Sequence, residues 1–309
     1  MALPIVTAND YYRSRFGGKV YRISLNGGMT CPNRDGTLDT RGCIFCSRGG
    51  SGDFAASPSL SVTEQLRVAK EKVAAKLPKQ RQDFAGYLAY FQAFTNTYAS
   101  VSYLRSIFEE ALADSEVVGL SIATRPDCLA PDCISLLAEL NQRKPVYVEL
   151  GLQTIHESSA AFIRRGYPLS VYDDAVRRLQ AAGILVITHV ILGLPKETKE
   201  DMTATVRHVI KGGVHGIKLQ LLHILKDTDL ADYYETASPE EFACMSVEGY
   251  TDILNAVLSL IPEDTVVYRL TGDGPKRTLL APLWSGDKKF VLNTIRQHLE
   301  RSSLCNPKC

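Results

Sequence analysis

The chain has 309 residues, 45% of them apolar and 22% charged, and a formal net charge of +1. Those proportions exclude a disordered or fibrous chain, allow a core for one barrel-sized domain or two smaller ones, and give no charge argument for a polyanionic partner. No run of about 18 apolar residues occurs and the first residues lack the order of a secretory signal, so we expect no membrane span and a cytoplasmic address.

Taken in chain order, strand-like and helix-like segments alternate. KVYRISL (19–25) reads as a strand, and 61–77 as a helix with Ser61 and Glu64 at capping-box spacing. GYLAYFQ (86–92) is a strand, followed by a helix near 101–113. EVVGLSIAT (116–124) is a strand and 130–142 a helix. PVYVELGLQT (145–154) is a strand, with helical stretches near 157–164 and 170–182. ILVITHVILGLP (184–195) is the longest apolar strand, and a helix over 198–211 stops at Gly212 and Gly213. GIKLQLLHIL (216–225) reads as the sixth strand. A long helix over 239–260, a strand over 265–270 and a helix over 286–301 complete the chain.

Repeated β–α units with near-continuous apolar strands predict an α/β fold with a parallel sheet buried on both faces. An open doubly wound sheet and a full or partial TIM-like barrel both satisfy the pattern. Either places function at the carboxyl ends of the strands. We expect residues 1–238 to form this unit and 239–309 an α/β extension packed on it.

Eight cysteines in a cytosolic chain point to metal binding or catalysis rather than disulfides. Cys31, Cys43 and Cys46 follow the first strand in NGGMTCPNRDGTLDTRGCIFCSRGG (26–50). Three thiols without a fourth nearby suit an iron–sulfur cluster with one open iron; a zinc site or chance remain alternatives on spacing alone. From Tyr11 to Gly50, Arg13, Arg15, Lys19, Arg22, Arg34, Arg41 and Arg48 face only Asp35 and Asp39. This is either a solvated surface or a basic rim beside the cysteine loop.

CPNRDGTLDTRGCIFC, with eleven residues in its first gap, resembles the YhcC/YtqA-type proteins of the radical S-adenosylmethionine (SAM) superfamily. ATRPD (123–127), VELGLQT (148–154), RRGYP (164–168), HVILGLP (189–195) and RLTGDGP (269–275) extend that resemblance along the chain. Several of these segments are also similar to the elongator catalytic subunit and to the oxygen-independent coproporphyrinogen oxidase. The resemblance implies a partial TIM-like (β/α)6 barrel and a [4Fe–4S] cluster on Cys31, Cys43 and Cys46, with SAM chelating the fourth iron. It implies SAM contacts by Phe45 (adenine), Gln153 and His189 (ribose) and Arg165 (carboxylate). Gly193 and Leu194, in GLP, would turn backbone groups towards the adenine edge. Gln92, with Thr95 and Asn96, stands where related enzymes hold the SAM amino group, and Glu149 opens the fourth-strand motif. A strand acid such as Glu149 and a buried histidine such as His189 have structural readings as well.

The activity so implied is reductive cleavage of SAM to a 5′-deoxyadenosyl radical that abstracts hydrogen, with a flavodoxin or ferredoxin as electron donor. The elongator-like motifs imply a tRNA substrate and conversion of a wobble-uridine carboxymethylaminomethyl group to aminomethyl, with the basic residues beside the cysteine loop on anticodon phosphates. A small-molecule reaction, such as one on a tetrapyrrole, and a non-catalytic metal-bearing RNA-binding protein are the alternatives. Lys218, His223, Lys226, Arg269 and Arg277 are substrate-side candidates. Cys128, Cys133, Cys305 and Cys309 are weighed as ligands of an auxiliary cluster, and Cys244 as core.

Overall fold

A computed structural model describes residues 5–50, 52, 55–74, 83–272, 274 and 276–305. Helix α1 (Ala8–Phe16) precedes β1 (Lys19–Leu25) and α2 (Val62–Ala74). Then come β2 (Phe84–Phe91), α3 (Val101–Ala113), β3 (Val117–Thr124), α4 (Pro131–Asn141), β4 (Val146–Gln153), α5 (Glu157–Phe162) and α6 (Leu169–Ala181). β5 (Leu185–Leu192), α7 (Lys199–Lys211), β6 (Gly216–Leu221), β7 (Ile224–Leu225) and α8 (Asp229–Thr236) follow. The chain continues through α9 (Val247–Leu258), β8 (Val266–Arg269), β9 (Leu279–Ala281) and α10 (Lys288–Cys305).

The main sheet has the order β1-β2-β3-β4-β5-β6-β8, with every pairing parallel. It curls into a half-barrel with helices outside. The outward faces of the strands and the inner faces of the helices form the largest core, from Leu66 and Phe108 to Leu137, Val206 and Leu254. Burial on both faces explains the near-continuous apolar strands.

Period two puts Leu88 and Tyr90 on one face of β2, Tyr147, Glu149 and Gly151 on one face of β4, and Ile187 and His189 on one face of β5. Leu88, Tyr147 and Ile187 pack with Tyr12 of α1 in a separate cluster that fills one end of the barrel. Thr7 bridges to Val267, and the Val267 N–H donates to the Val6 carbonyl at 2.9 Å, so the amino-terminal segment spans the gap between the sheet edges.

Several expectations are corrected. The predicted sixth strand is two: β6 ends at Leu221, and Ile224–Leu225 pairs antiparallel with β9 in a separate two-stranded sheet. The predicted 239–260 helix begins only at Val247, because Ser246 caps it by accepting from the Gly249 N–H at 3.0 Å. The strand near 265–270 joins the main sheet through β6. α1, α8 and β9 were not expected. The capping box at Ser61 and Glu64 forms, with the Ser61 N–H donating to Glu64 at 3.1 Å and the Glu64 N–H to Ser61 Oγ at 3.2 Å. The last three residues predicted for that helix lie outside the described residues.

Candidate active site

The cysteine loop leaves the carboxyl end of β1 and is fastened at once. Gln65 of α2, 1% exposed, accepts from the Asn26 N–H at 2.8 Å and donates to the Asn26 carbonyl at 2.9 Å. The eleven-residue gap then folds back on itself. Arg34 N–H donates to Cys31 O (2.8 Å), Leu38 N–H to Pro32 O (2.8 Å) and Gly42 N–H to Asn33 O (2.6 Å). Gly42 takes φ +80°, a region that glycine enters without strain. The Arg34 guanidinium donates to the carbonyls of Cys46 (3.0 Å) and Ser47 (2.8 Å), joining the two halves of the motif.

The loop is also docked on the barrel. Ile44 N–H donates to Ile163 O at 3.2 Å, and Leu230 N–H of α8 donates to Ile44 O at 3.0 Å. Asn33, 1% exposed, donates from Nδ2 to Arg164 O at 2.7 Å and to Cys43 Sγ at 3.4 Å.

The result is a cavity of about 200 Å³ whose lining includes all three cysteines, Phe45, Gln92, Glu149, Gln153, Arg165 and His189. Residues separated by more than 150 positions in sequence thus meet at one place. Gly193 and Leu194 are not among its lining residues. Gly193 turns the chain at φ +93° and donates its N–H to Met202 Sδ at 3.1 Å, while Leu194 is buried in the second apolar cluster.

The three thiols of the loop line one cavity. Among the described residues no group of three or more His, Cys, Asp or Glu side chains, these three included, is drawn together closely enough to hold a single metal ion. Burial and the adjacent Cys46 push the Cys43 thiol up to about 12. Cys133 is 3% exposed in the main core, and Cys244 packs in the second cluster beside Tyr234, so neither joins the three. Cys128 lies in a 3-10 turn after β3. Cys309 and the Cys305 side chain lie outside the described residues.

Glu149, 1% exposed, is the hub of the barrel interior. Ser121 Oγ donates to Oε1 at 2.5 Å, Arg22 reaches Oε1 at 3.0 Å, His189 Nε2 meets Oε2 at 2.7 Å and Lys218 Nζ also bonds Oε2. Burial pushes this carboxyl up, but Arg22 and Lys218 outweigh it and hold Glu149 well below the usual carboxylate range. His189 is lowered as well: burial and Lys218 bring it down to about 4. Gln220 Nε2 lies 2.9 Å from His189 Nδ1, so a neutral ring with its proton on Nε2 satisfies both neighbours. Lys218, expected on the substrate side, is 2% exposed and bound to Glu149.

Gln153 has φ +65°, where the β4–β5 register slips, and its side chain lines the cavity. Strain of this kind in a non-glycine residue concentrates at functional positions. Arg165 is 2% exposed and heavily committed. Nε donates to Tyr167 O at 2.9 Å, Nη1 to Thr154 O at 2.6 Å and Leu152 O at 3.4 Å, and Nη2 to Glu157 at 3.3 Å. Gln92 accepts from Ser24 Oγ at 3.0 Å. Thr95 lines the cavity as well, whereas Asn96 is fully buried and donates to Ala123 O at 2.9 Å.

Sequence reasoning missed Asn33, Arg125, Tyr167 and the role of Arg22. Arg125 pairs with Asp127 through two bonds of 2.9 and 2.7 Å, donates to Arg165 O at 3.0 Å and lies 5.0 Å from the Tyr167 ring centre. The available signal for Arg22 and Lys218 was a charge within an otherwise apolar strand. Such a charge must find a partner when both faces are buried.

The family model described as Radical SAM superfamily matches residues 40–209, and the Radical_SAM C-terminal domain matches 214–301. The chain is 44% identical over 294 residues to YtqA of Bacillus subtilis, covering 95% of this chain and 89% of that protein. It is 36% identical to YhcC of Escherichia coli K12, covering 87% and 84%. Elongator complex protein 3 of Schizosaccharomyces pombe is 23% identical over 60% of this chain and 34% of that protein. Among solved structures, the archaeal Elp3 of Methanocaldococcus infernus shares the fold with a TM-score of 0.69 at 16% identity, covering 93% of this chain and 64% of that one.

Proposed function

The chain belongs to the radical SAM superfamily, whose enzymes use a [4Fe–4S] cluster and S-adenosylmethionine, and from that premise we propose that Cys31, Cys43 and Cys46 hold the cluster for modification of a tRNA wobble uridine. The side chain converted is a carboxymethylaminomethyl group: a two-electron oxidation to the imine, with SAM as oxidant consumed to methionine and 5′-deoxyadenosine, followed by hydrolysis of the C–N bond, would release glyoxylate and leave aminomethyl. When bound, the cluster and SAM supply a 5′-deoxyadenosyl radical able to take hydrogen from an unactivated C–H bond.

The observation that carries the enzymatic reading is the meeting of three loop thiols with Gln153, Glu149 and His189 around one cavity at the carboxyl end of a parallel half-barrel. The chain's own groups hold and shield. Arg34 and Asn33 fix the loop that presents the thiols, and Asn33 donates towards Cys43 sulfur. The strained Gln153 offers an amide to the ribose, and Phe45 an apolar face to the adenine. Arg165, its donors largely taken by carbonyls and Glu157, fixes the β4 end, and any SAM carboxylate contact it makes is secondary. The motif resemblance to the elongator catalytic subunit supports the tRNA half of the reading. An electron donor of the flavodoxin or ferredoxin kind is required. Among the described residues no helix is long and apolar enough to cross a membrane.

Anaerobic reconstitution should give about four irons per chain, and dithionite with SAM should yield 5′-deoxyadenosine. Ser in place of any one of Cys31, Cys43 or Cys46 should abolish both. A fully loaded protein that never cleaves SAM would refute the radical reading. Mass spectrometry of tRNA nucleosides from a deletion strain should show carboxymethylaminomethyl-uridine accumulating, and an unchanged profile removes the tRNA substrate.

A further inference from the structure

The sheet leaves a groove between its two edges, and the charged side chains among the described residues that line it are of one sign. A cavity of about 1070 Å³ runs from β1 and α2 on one side to the segment after β8 on the other. It shares Phe45, Tyr90, Gln92 and Arg269 with the cofactor cavity, so the two are contiguous. Lys72 lines one wall, Lys276, Arg277 and Lys288 line the other, and Arg22 and Arg269 lie at the inner end. No Asp or Glu is among the described residues that line it.

Several exposed cations elsewhere are matched: Arg13 with Asp83, Arg41 with Asp39, Arg67 with Glu71 and Arg105 with Glu139. Lys72, Lys276 and Arg277 have no ion-pair partner among the described residues. Like charges gathered on a concave wall focus their field and raise the local concentration of an anion. The volume lies at or above the upper end, about 1,000 Å³, of pockets for small ligands, so a longer occupant fits it better. The arginines of the cysteine loop are poorer candidates for phosphates, because Arg34 is spent on carbonyls and Arg41 on Asp39.

We propose that this groove binds the sugar–phosphate backbone of a single-stranded RNA segment, with Lys72 on one wall and Lys276 and Arg277 on the other holding phosphates on either side of the nucleotide whose base enters the cofactor cavity. The inference rests on the reading of the protein as a tRNA-acting enzyme. It moves the phosphate contacts from the cysteine loop to the lateral groove.

The test is fluorescence anisotropy of a labelled anticodon stem-loop RNA with reconstituted holoprotein over a range of salt concentrations. The combined variant Lys72→Gln, Lys276→Gln, Arg277→Gln should bind about tenfold or more weakly. Its slope of log K against log salt should fall by about two, since each single-strand phosphate contact contributes about 0.7. Lys72→Arg with Lys276→Arg, which keeps the charges, should bind within about twofold of wild type. Arg67→Gln, an exposed cation outside the groove, should do the same. Equal affinity and slope for the combined variant and wild type overturns the proposal, as does a wild type that binds no RNA. If the combined variant loses RNA while nucleosides of the deletion strain are unchanged, the groove stands and the wobble-uridine reading falls. If the nucleosides change but the variant binds as tightly as wild type, the groove falls and that reading stands.

Discussion

Asn33 donates to Cys43 Sγ at 3.4 Å from a position 1% exposed, and its amide is anchored by the Arg164 carbonyl. A hydrogen bond to a ligand sulfur spreads its negative charge and favours the reduced cluster. Asn33→Leu should therefore lower the cluster potential by roughly tens of millivolts, with iron content retained, in a redox titration followed by electron paramagnetic resonance. His189 gives a second prediction. Its proton affinity is brought down from 6.5 to about 4 by burial and Lys218, so the folded protein keeps it neutral where the unfolded chain would protonate it. The stabilisation is complete above about pH 6.5 and is lost as pH falls to about 4, worth roughly 3 kcal/mol. His189→Asn should flatten the decline in urea midpoint between pH 7 and 5 that the wild type shows. The cysteines were legible in the sequence because thiols are rare and their spacing carries chemistry. Asn33 was not, because an asparagine in a Gly- and Asp-rich loop looks like turn chemistry until its amide is found beside sulfur.

At the scale of elements, Arg165 joins the end of β4 to α5 and to the turn before α6. It donates to the carbonyls of Thr154 and Tyr167 and to Glu157. Arg165→Leu strands those carbonyls, which matters more than the lost charge, because a buried acceptor left without a donor costs about 1–3 kcal/mol and Glu157 is largely exposed. A fall in thermal midpoint by several degrees should follow, and if Arg165 acted only on SAM the apoprotein would melt unchanged. The six β–α repeats were legible from periodicity, since each strand is apolar on both faces and each helix on one. β7 and β9 were not: two- and three-residue strands leave no period to read. The start of α9 was hidden because its cap, Ser246, stands between the apolar stretch FACM (242–245) and Val247, so the apolar pattern runs on across the boundary.

In the whole molecule, β8 is the seventh strand of the sheet although it lies in the segment expected to be an extension. Residues from α9 and α10, including Tyr250, Leu254, Val257 and Ile295, are buried in the same core as the strands. A chain ending at residue 238 would expose the edge of β6 and that apolar face. It should be recovered aggregated or should melt without a cooperative transition in calorimetry; a cooperative unit there would show the carboxyl-terminal segment to be dispensable. Long-range closure of this kind is not legible in one sequence, because strand order depends on contacts between residues far apart. The lateral groove escaped notice for the same reason, as Lys72 and Arg277 are neighbours across a gap and not along the chain.

The bridge between Thr7 and Val267 also sets a timetable. The strap at Thr7 cannot complete its pairing until Val267 of β8 has been made, so the barrel end it seals stays open while all the strands between them are synthesised. Contacts of such separation slow folding, and the half-finished sheet must wait with Tyr12 and its aromatic neighbours incompletely covered. A rearranged chain that places β8 ahead of the Thr7 strap would bring the two together early, and it should refold faster than the native order.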